Sequence, residues 1–370
     1  MKNSPPDRHD LEISVFGPGA GECVVVHVGE GDWIVVDSCI DRKSGHPIAL
    51  DYLKSIGVDP GTQIKLVVAT HWHDDHIHGM GELLEAAASA RFADSTANCF
   101  AKLLEVVELG SKLTARSSVT REFDKIKTIL ESRRVNGQSR DAVGPMHAIA
   151  NRKLLALDDP DRSIVCEVFS LSPADGVINR ETAELNYALS EIQNGRRPAR
   201  QGPNQLSVVL WLKVGALNVL LGADLEHVSG ITEGWKAITN SGERPSGHAR
   251  FVKVPHHGSE NADCPECWTE LISENPIAVL TPYASSHLPK KSDIERMCKR
   301  TPQIFLTGDP TKYSVPRRDN AVDRTLREAA IRRRSLGGQM GHVRLRCDAR
   351  TVSVQTQIEL LNGAKRACAG

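Results

Sequence analysis

The run Thr70-His71-Trp72-His73-Asp74-Asp75-His76-Ile77-His78-Gly79 constrains this chain more than any other segment. It follows Ile64-Lys65-Leu66-Val67-Val68-Ala69, which reads as a strand buried on both faces and broken only by Lys65. The run therefore sits on the loop leaving a strand end, with a helix expected to begin near Gly79. Imidazole and carboxylate are ligands for zinc and its transition-series neighbours. His71 and His73, one residue apart on extended chain, project to the same side and can share one ion. Asp75 and His76 fall where the chain turns and can hold a second ion nearby, a distribution suited to a dinuclear hydrolytic centre. The alternative, a His-rich surface loop, sits poorly with four of the 14 histidines falling directly after a buried strand.

Three further positions join this run. Asp224, in Leu221-Gly222-Ala223-Asp224-Leu225, ends an apolar strand, where a lone carboxylate is costly without a cation. It either bridges two metals or caps a following helix. His256 and His257, in Pro255-His256-His257-Gly258-Ser259, also follow a strand and are either ligands or exposed turn residues. Asp37, after Ile34-Val35-Val36, is placed to orient ligands from behind.

The surrounding pattern mixes strands and helices. Residues 11–16, 23–28 and 33–36 read as short strands separated by Gly and Pro, and residues 47–56 as a helix stopped by Gly57. From about 82 to 200 the chain reads as a largely helical insertion, with helices expected over 101–113, 122–133 and 181–193 and one β-like segment at 164–170. Strands return at 206–214, 216–221, 251–254, 277–280 and 303–306. A helix over 322–334 and a hairpin pairing 342–347 with 352–358 close the chain. A single decorated domain accommodates all 370 residues.

Composition narrows the classes. Lys and Arg number 46, as do Asp and Glu, so net charge gives no argument for a polyanionic or membrane partner. The C-terminal region is basic, however, and includes consecutive Arg332, Arg333 and Arg334, read as either a solvated helix face or a polyanion-binding edge. Nine scattered cysteines do not form a disulfide framework. Cys264 and Cys267 lack the second pair that a structural zinc site needs and read as two cysteines flanking a helix start. The first ten residues are too polar for a signal peptide and no apolar run spans a bilayer, so a cytoplasmic location without membrane contact is expected.

Taken in order, Asp37, the His-x-His-x-Asp-His run, Gly222-Ala223-Asp224 and Val254-Pro255-His256-His257-Gly258-Ser259 resemble the metallo-β-lactamase superfamily. Within it the likeness is to the soluble domain of ComEC-type competence proteins. Gly17 to Cys23 resembles their opening "DVGQGDA" segment, and Asn204-Gln205-Leu206-Ser207-Val208-Val209-Leu210 resembles their "N-x-x-S-x-V-L" strand. The resemblance implies an α/β fold, an αββα sandwich with metals at one edge between two sheets. It implies two divalent metal ions, zinc or manganese. His71 and His73 hold the first, Asp75 and His76 the second, Asp224 bridges, and either His256 or His257 completes the second position. Asn204 stands near the place where many members have a third His for the first metal. An amide oxygen there makes the site harder and weaker, favouring manganese or partial occupancy. His78 replaces a usual Gly and is either a surface residue or a proton donor. His287, after Ser285-Ser286, resembles the "HP" region of the competence group and is the candidate donor to a leaving group.

Fold alone does not choose a substrate. A nuclease or phosphodiesterase reading draws on the competence-type likeness and the basic C-terminal region, with nucleic acid as substrate. At 4% aromatic residues, the chain is poor in the stacking side chains a single-strand groove uses. A small-molecule hydrolase acting on a phosphocholine-type diester, lactone or thioester would need a closed pocket under the insertion. A non-catalytic protein with a relict site is the third reading. The insertion could also bind a protein partner.

Overall fold

The computed structural model describes residues 4–17, 21–95, 118–136, 144–193, 203–228, 230–310, 340–352 and 355–368. Strands β1 (Asp10–Phe16), β2 (Cys23–Val28) and β3 (Trp33–Val36) form an antiparallel meander. Helix α1 (Ile48–Ser55) and a short α2 (Pro60–Gln63), capped by the Asp59 carboxylate on Gly61 N–H, lead to β4 (Ile64–Ala69), parallel to β3. Helices α3 (Asp74–Ile77) and α4 (Met80–Ala86) precede β5 (Arg91–Asp94). Helix α5 (Ser118–Val135) then precedes β6 (Pro145–His147), and both strands continue the parallel half of the first sheet.

The second sheet opens with β7 (Arg152–Leu157) and β8 (Cys166–Ser170). After helix α6 (Asp175–Gln193) come β9 (Leu210–Val214) and β10 (Leu217–Leu221), turned on Gly215. Helices α7 (Gly234–Thr239), α8 (Pro265–Glu270) and α9 (Lys291–Cys298) alternate with β11 (Ala249–Lys253), β12 (Ile272–Leu280) and β13 (Ile304–Leu306), which run parallel. The chain returns to the first sheet with the hairpin β14 (His342–Asp348) and β15 (Gln357–Leu361), and ends on the second with β16 (Lys365–Arg366). The strand orders are β15-β14-β1-β2-β3-β4-β5-β6 and β16-β13-β12-β11-β10-β9-β8-β7.

Strand alternation builds three apolar layers. One parity of the first sheet, including Ile13, Val26, Ile34, Leu66 and Val68, meets Leu212, Val219, Phe251 and Val279 of the second sheet in a shared core. The opposite parity of the first sheet, including Val25, Trp33, Val35 and Val67, packs on Leu53 of α1, Leu83 of α4 and Phe123 of α5. The outer face of the second sheet, with Trp211, Leu220 and Val252, packs on Trp235 of α7 and Met297 of α9. The fold is thus the expected αββα sandwich. Helix α5 is fastened to the end of α4 and the turn after it by Arg133, whose guanidinium donates to the carbonyls of Leu84, Ala87 and Ala90.

Some boundaries differ from expectation. The 82–200 stretch supplies α5 and α6, but it also supplies β5, β6 and β7, which extend both sheets and were not foreseen. The strand expected from 206 begins at Leu210. Residues 203–206 form a 3₁₀ turn, and the N–H groups of Val208 and Val209 go to Thr70 O and Ser172 Oγ instead of a ladder. The second strand of the terminal hairpin lies at Gln357–Leu361, later than expected. The helices expected over 101–113 and 322–334, with the Arg332–Arg334 run, lie outside the described residues. The reading of the cysteines needs one correction. Cys298, at the end of α9, is disulfide-bonded to Cys368, so the C-terminal segment is stapled to that helix. No helix among the described residues is long and apolar enough to cross a membrane.

Candidate metal centre

Strands β3, β4, β10, β11 and β12 all deliver their carboxyl ends to one edge of the sandwich, the usual place for a ligand in parallel sheets. β4 ends at Ala69, the chain bends at His71, and His73, with extended backbone, is the N-cap of the one-turn helix α3. That turn folds Asp75 and His76 back beside His71, so His71 and His76 lie ring to ring at 4.1 Å. Trp72, between the two histidines, faces the opposite way and stacks on Phe123 of α5 at 3.6 Å. Helix α5 therefore braces the loop from outside.

Asp37 follows β3 with φ 61, a left-handed turn that aims its carboxylate under the loop. Its Oδ1 accepts from Thr70 N at 2.8 Å, and its Oδ2 accepts from Thr70 Oγ1 at 2.8 Å and His76 Nδ1 at 2.7 Å. The carboxylate thereby holds the His76 proton on Nδ1 and turns Nε2, with its lone pair, toward the interior of the site. His257 is held the same way, its Nδ1 donating to Thr281 O at 2.8 Å. Both His256 and His257 have positive φ, 45° and 54°, so the chain kinks sharply and sends the two rings in different directions.

The donors converge on two foci. At one, Asp224 Oδ2 lies 3.5 Å from His76 Nε2 and 3.4 Å from His257 Nε2, and Asp75 Oδ2 lies 3.7 Å from each of those nitrogens. At the other, His71 Nε2 and His73 Nδ1 are 3.2 Å apart. Metal bonds of about 2.0–2.1 Å in a tetrahedron separate neighbouring ligands by about 3.3 Å, close to these spacings. His76 Nε2, His257 Nε2, Asp224 Oδ1 and Asn204 Oδ1 are all buried without a hydrogen-bond partner. Buried polar atoms without partners are rare and call for an ion or water. The residues present thus fit divalent metal ions.

Electrostatics agree. Burial alone would lower the pKa of His76, but the carboxylates of Asp224, Asp37 and Asp75 raise it well above the usual imidazole range. His257 is pushed up to about 9, against its burial, chiefly by Asp224. Burial would raise Asp224, yet the rings of His257 and His76 hold it well below the usual range. His71 is driven well below its usual value by burial and the charge of His76. His73 is lowered by burial, with His76 and His256 adding to the effect. The first focus is therefore rich in negative charge, and the two histidines at it hold protons that a cation would displace.

Several expected residues come together here and others do not. His71, His73, Asp75, His76, Asp224 and His257 cluster. His256 turns away from that focus. Its Nδ1 faces Asn261 Oδ1 at 3.0 Å and its Nε2 faces Asn204 Nδ2 at 3.3 Å, leaving neither nitrogen free. His78 is exposed, with its carbonyl accepting from Ser38 Oγ. His287 is also exposed, and its ring is bonded to Ala284 O of its own loop. The structure brings neither into the cluster.

Three residues at the site had escaped the sequence reading. Glu22, buried just before β2, pairs with Lys253 Nζ at 2.5 Å and accepts from Thr281 Oγ1. It offers an oxygen within 4.8 Å of donors from His76, Asp224 and His257. Its oxygens, however, are 4.0 and 3.6 Å from the Nδ1 atoms of His76 and His257, behind the rings and opposite their free Nε2 atoms. That geometry braces the histidines. A lone Glu in the Gly-rich segment ahead of the apolar run 23–28 was the available signal. Lys253, at the end of β11, neutralises it. Tyr283 stacks on His257 at 4.9 Å, and burial followed by the nearby charges raises its pKa, so its phenol keeps its proton at neutral pH.

Residues 16–262 match the family model described as the metallo-beta-lactamase superfamily. Among solved structures, the chain is similar to Zn(2+)-bound PqqB from Methylobacterium extorquens, with 13% identity, 64% of this chain and 60% of that chain covered, and a TM-score of 0.32. It is similar to the short form of human tRNase Z, with 11% identity, 80% and 91% covered, and a TM-score of 0.35. The metallo-beta-lactamase SMB-1 bound to 2-mercaptoethanesulfonate gives 12% identity, 69% and 82% covered, and a TM-score of 0.33. The chain spans 60% of the length of the PqqB chain. Likenesses this distant say nothing of substrate. No curated protein matches the chain.

Proposed function

The chain belongs to the metallo-β-lactamase superfamily, and from that premise we propose a metal-dependent phosphodiester hydrolase, a nuclease, working at the cluster of His71, His73, Asp75, His76, Asp224 and His257. The observation that carries the reading is the set of buried, partnerless donors at the strand ends, His76 Nε2, His257 Nε2, Asp224 Oδ1 and Asn204 Oδ1. In this reading His71 and His73, with Asn204, would hold one divalent ion, Asp75, His76 and His257 would hold the other, and Asp224 would serve both. When bound, such ions make water nucleophilic near neutral pH and draw charge from a phosphoryl oxygen.

The chain's own residues supply position and proton control. Asp75 and Asp224 are held as carboxylates and accept hydrogen bonds from an incoming water, orienting it for attack. Asp37, Thr281 and Glu22 lock the His76 and His257 rings so that Nε2 faces inward. The Tyr283 phenol, protonated and stacked on His257, donates to the oxygen that leaves. His287 and His78 are exposed and are not needed for that step.

The choice of a phosphodiester rests on the ComEC-type likeness of Gly17–Cys23, Asn204–Leu210 and Val254–Ser259, together with the basic C-terminal sequence. A protein partner docking on the 82–200 stretch would act on the same site through α5, which stacks on Trp72. The test is to incubate metal-stripped protein with single- and double-stranded DNA, RNA and bis-p-nitrophenyl phosphate, adding back manganese or zinc, with Asp75→Ala alongside. Metal-dependent cleavage of a polynucleotide, lost in the variant, is expected. Turnover of the small diester alone would refute the nuclease reading in favour of a small-molecule hydrolase.

A further inference from the structure

The Asn204 side chain presents a question of orientation that its neighbours answer. An amide has a donor end and an acceptor end, and the two are told apart by their partners. Asn204 Nδ2 lies 2.9 Å from Glu226 Oε1. A carboxylate only accepts, so this contact fixes the NH₂ end. The second N–H of Nδ2 points to His256 Nε2 at 3.3 Å. That nitrogen accepts if the His256 proton sits on Nδ1, where Asn261 Oδ1 takes it at 3.0 Å. Both amide hydrogens are thereby committed, and Oδ1 is left buried with no partner. The turn carrying Asn204 is fastened beside the metal loop, because Val208 N donates at 3.0 Å to the carbonyl of Thr70, the residue before His71.

We propose that Glu226 is a positioning residue for the metal held by His71 and His73, acting by turning the oxygen of the Asn204 amide, and not its nitrogen, toward that ion. The inference rests on the dinuclear reading above. Without an acceptor at Glu226 only the 3.3 Å contact to His256 Nε2 holds the amide, and a flip, with the amide oxygen then accepting from a His256 Nε2–H, turns toward the cation an NH₂ group that cannot ligate it. With Glu226 in place, the position has two imidazoles and a neutral oxygen, a harder donor set than three imidazoles and one that favours manganese over zinc. The cost of losing such an orienting partner is about 10–100-fold in metal affinity.

The experiment is a manganese titration of the full-length, metal-stripped chain, read by electron paramagnetic resonance and by metal content after gel filtration. The proteins are wild type, Glu226→Ala, Glu226→Gln, Asn204→Ala and the double variant Glu226→Ala with Asn204→Asp, each checked for folding by circular dichroism. The expected result is two manganese ions in wild type. In Glu226→Ala and Asn204→Ala one site should weaken at least about tenfold while the other is unchanged. Glu226→Gln, whose amide oxygen still accepts from Nδ2, should stay near wild type. The double variant should recover, since a carboxylate at 204 has no wrong face. Two unaltered ions in Glu226→Ala, an equal loss in Glu226→Gln, or no recovery in the double variant would each overturn the positioning role while leaving the metal centre standing. A wild type that binds no manganese or zinc would overturn the metal centre itself.

Discussion

Replacing Asp37 by Asn tests how the centre is aimed. Asp37 receives three donors, Thr70 N, Thr70 Oγ1 and His76 Nδ1, at 2.7–2.8 Å, and offers nothing back. An amide of the same shape has only one accepting oxygen. If its NH₂ faces Thr70 N, two donors collide in a buried site, which costs about 1–3 kcal/mol of folding stability. If its NH₂ faces His76 Nδ1, the imidazole proton moves to Nε2 and the ligand lone pair is lost. In the first orientation a neutral amide in place of the carboxylate makes His76 a less basic ligand, and in the second its lone pair is gone, so the second metal position weakens by about 10–100-fold or about 1.4–2.7 kcal/mol. The assay is competition for zinc or manganese against a chromophoric chelator, with urea unfolding of the metal-free protein in parallel. A stability loss with metal affinity unchanged within about twofold would refute the aiming argument, because it would mean His76 Nε2 does not face an ion.

Other consequences are open to simpler measurements. His257→Ala should cost the second ion at least about tenfold in affinity, whereas His256→Ala should leave that ion in place; metal content by mass spectrometry distinguishes them. Gly21→Ala should destabilise by about 1–3 kcal/mol or more in thermal unfolding, since a Cβ there would meet Asp75 O at 2.1 Å on a φ of +152°. Phe123→Ala should cost about 3–5 kcal/mol and slow metal-dependent turnover, because it removes the brace on Trp72. His27 should make metal-free stability pH-dependent. Its Nε2 accepts from Gly31 N–H and burial drops its pKa to about 4, so a protonated ring would set donor against donor. A depressed pKa gives stability that is present above 6.5 and lost as pH falls toward 4. That loss amounts to about 3 kcal/mol, and urea midpoints of His27→Gln should lack that part of the slope.

The legible parts of this protein were those written locally. The His71 to His76 run could be read because all its ligands sit within one loop after one strand, and Asp224 because a carboxylate ending an apolar strand demands a cation. The choice between His256 and His257 could not be made, since adjacent residues separate only through backbone kinks at φ 45° and 54°. Glu22 and Lys253 were hidden because each is a single charge, one in a Gly-rich segment and one in an apolar strand, and only the tertiary fold brings them to 2.5 Å. Strands β5, β6 and β7 escaped because they are short and carry polar residues without strict alternation, so their pairing comes from neighbours already in place. The end of the terminal hairpin slipped because the sequence alternates throughout residues 352–360, and a period of two does not fix where pairing begins. Cys298 and Cys368, 70 residues apart, gave no local sign of pairing.

The most direct measurement is an anomalous-difference map from crystals grown with manganese and, separately, with zinc. A peak is expected within bonding distance of His76 Nε2, His257 Nε2, Asp75 and Asp224, and a second beside His71, His73 and Asn204. Ordered crystals with saturating metal and no peak among these residues would contradict the dinuclear reading.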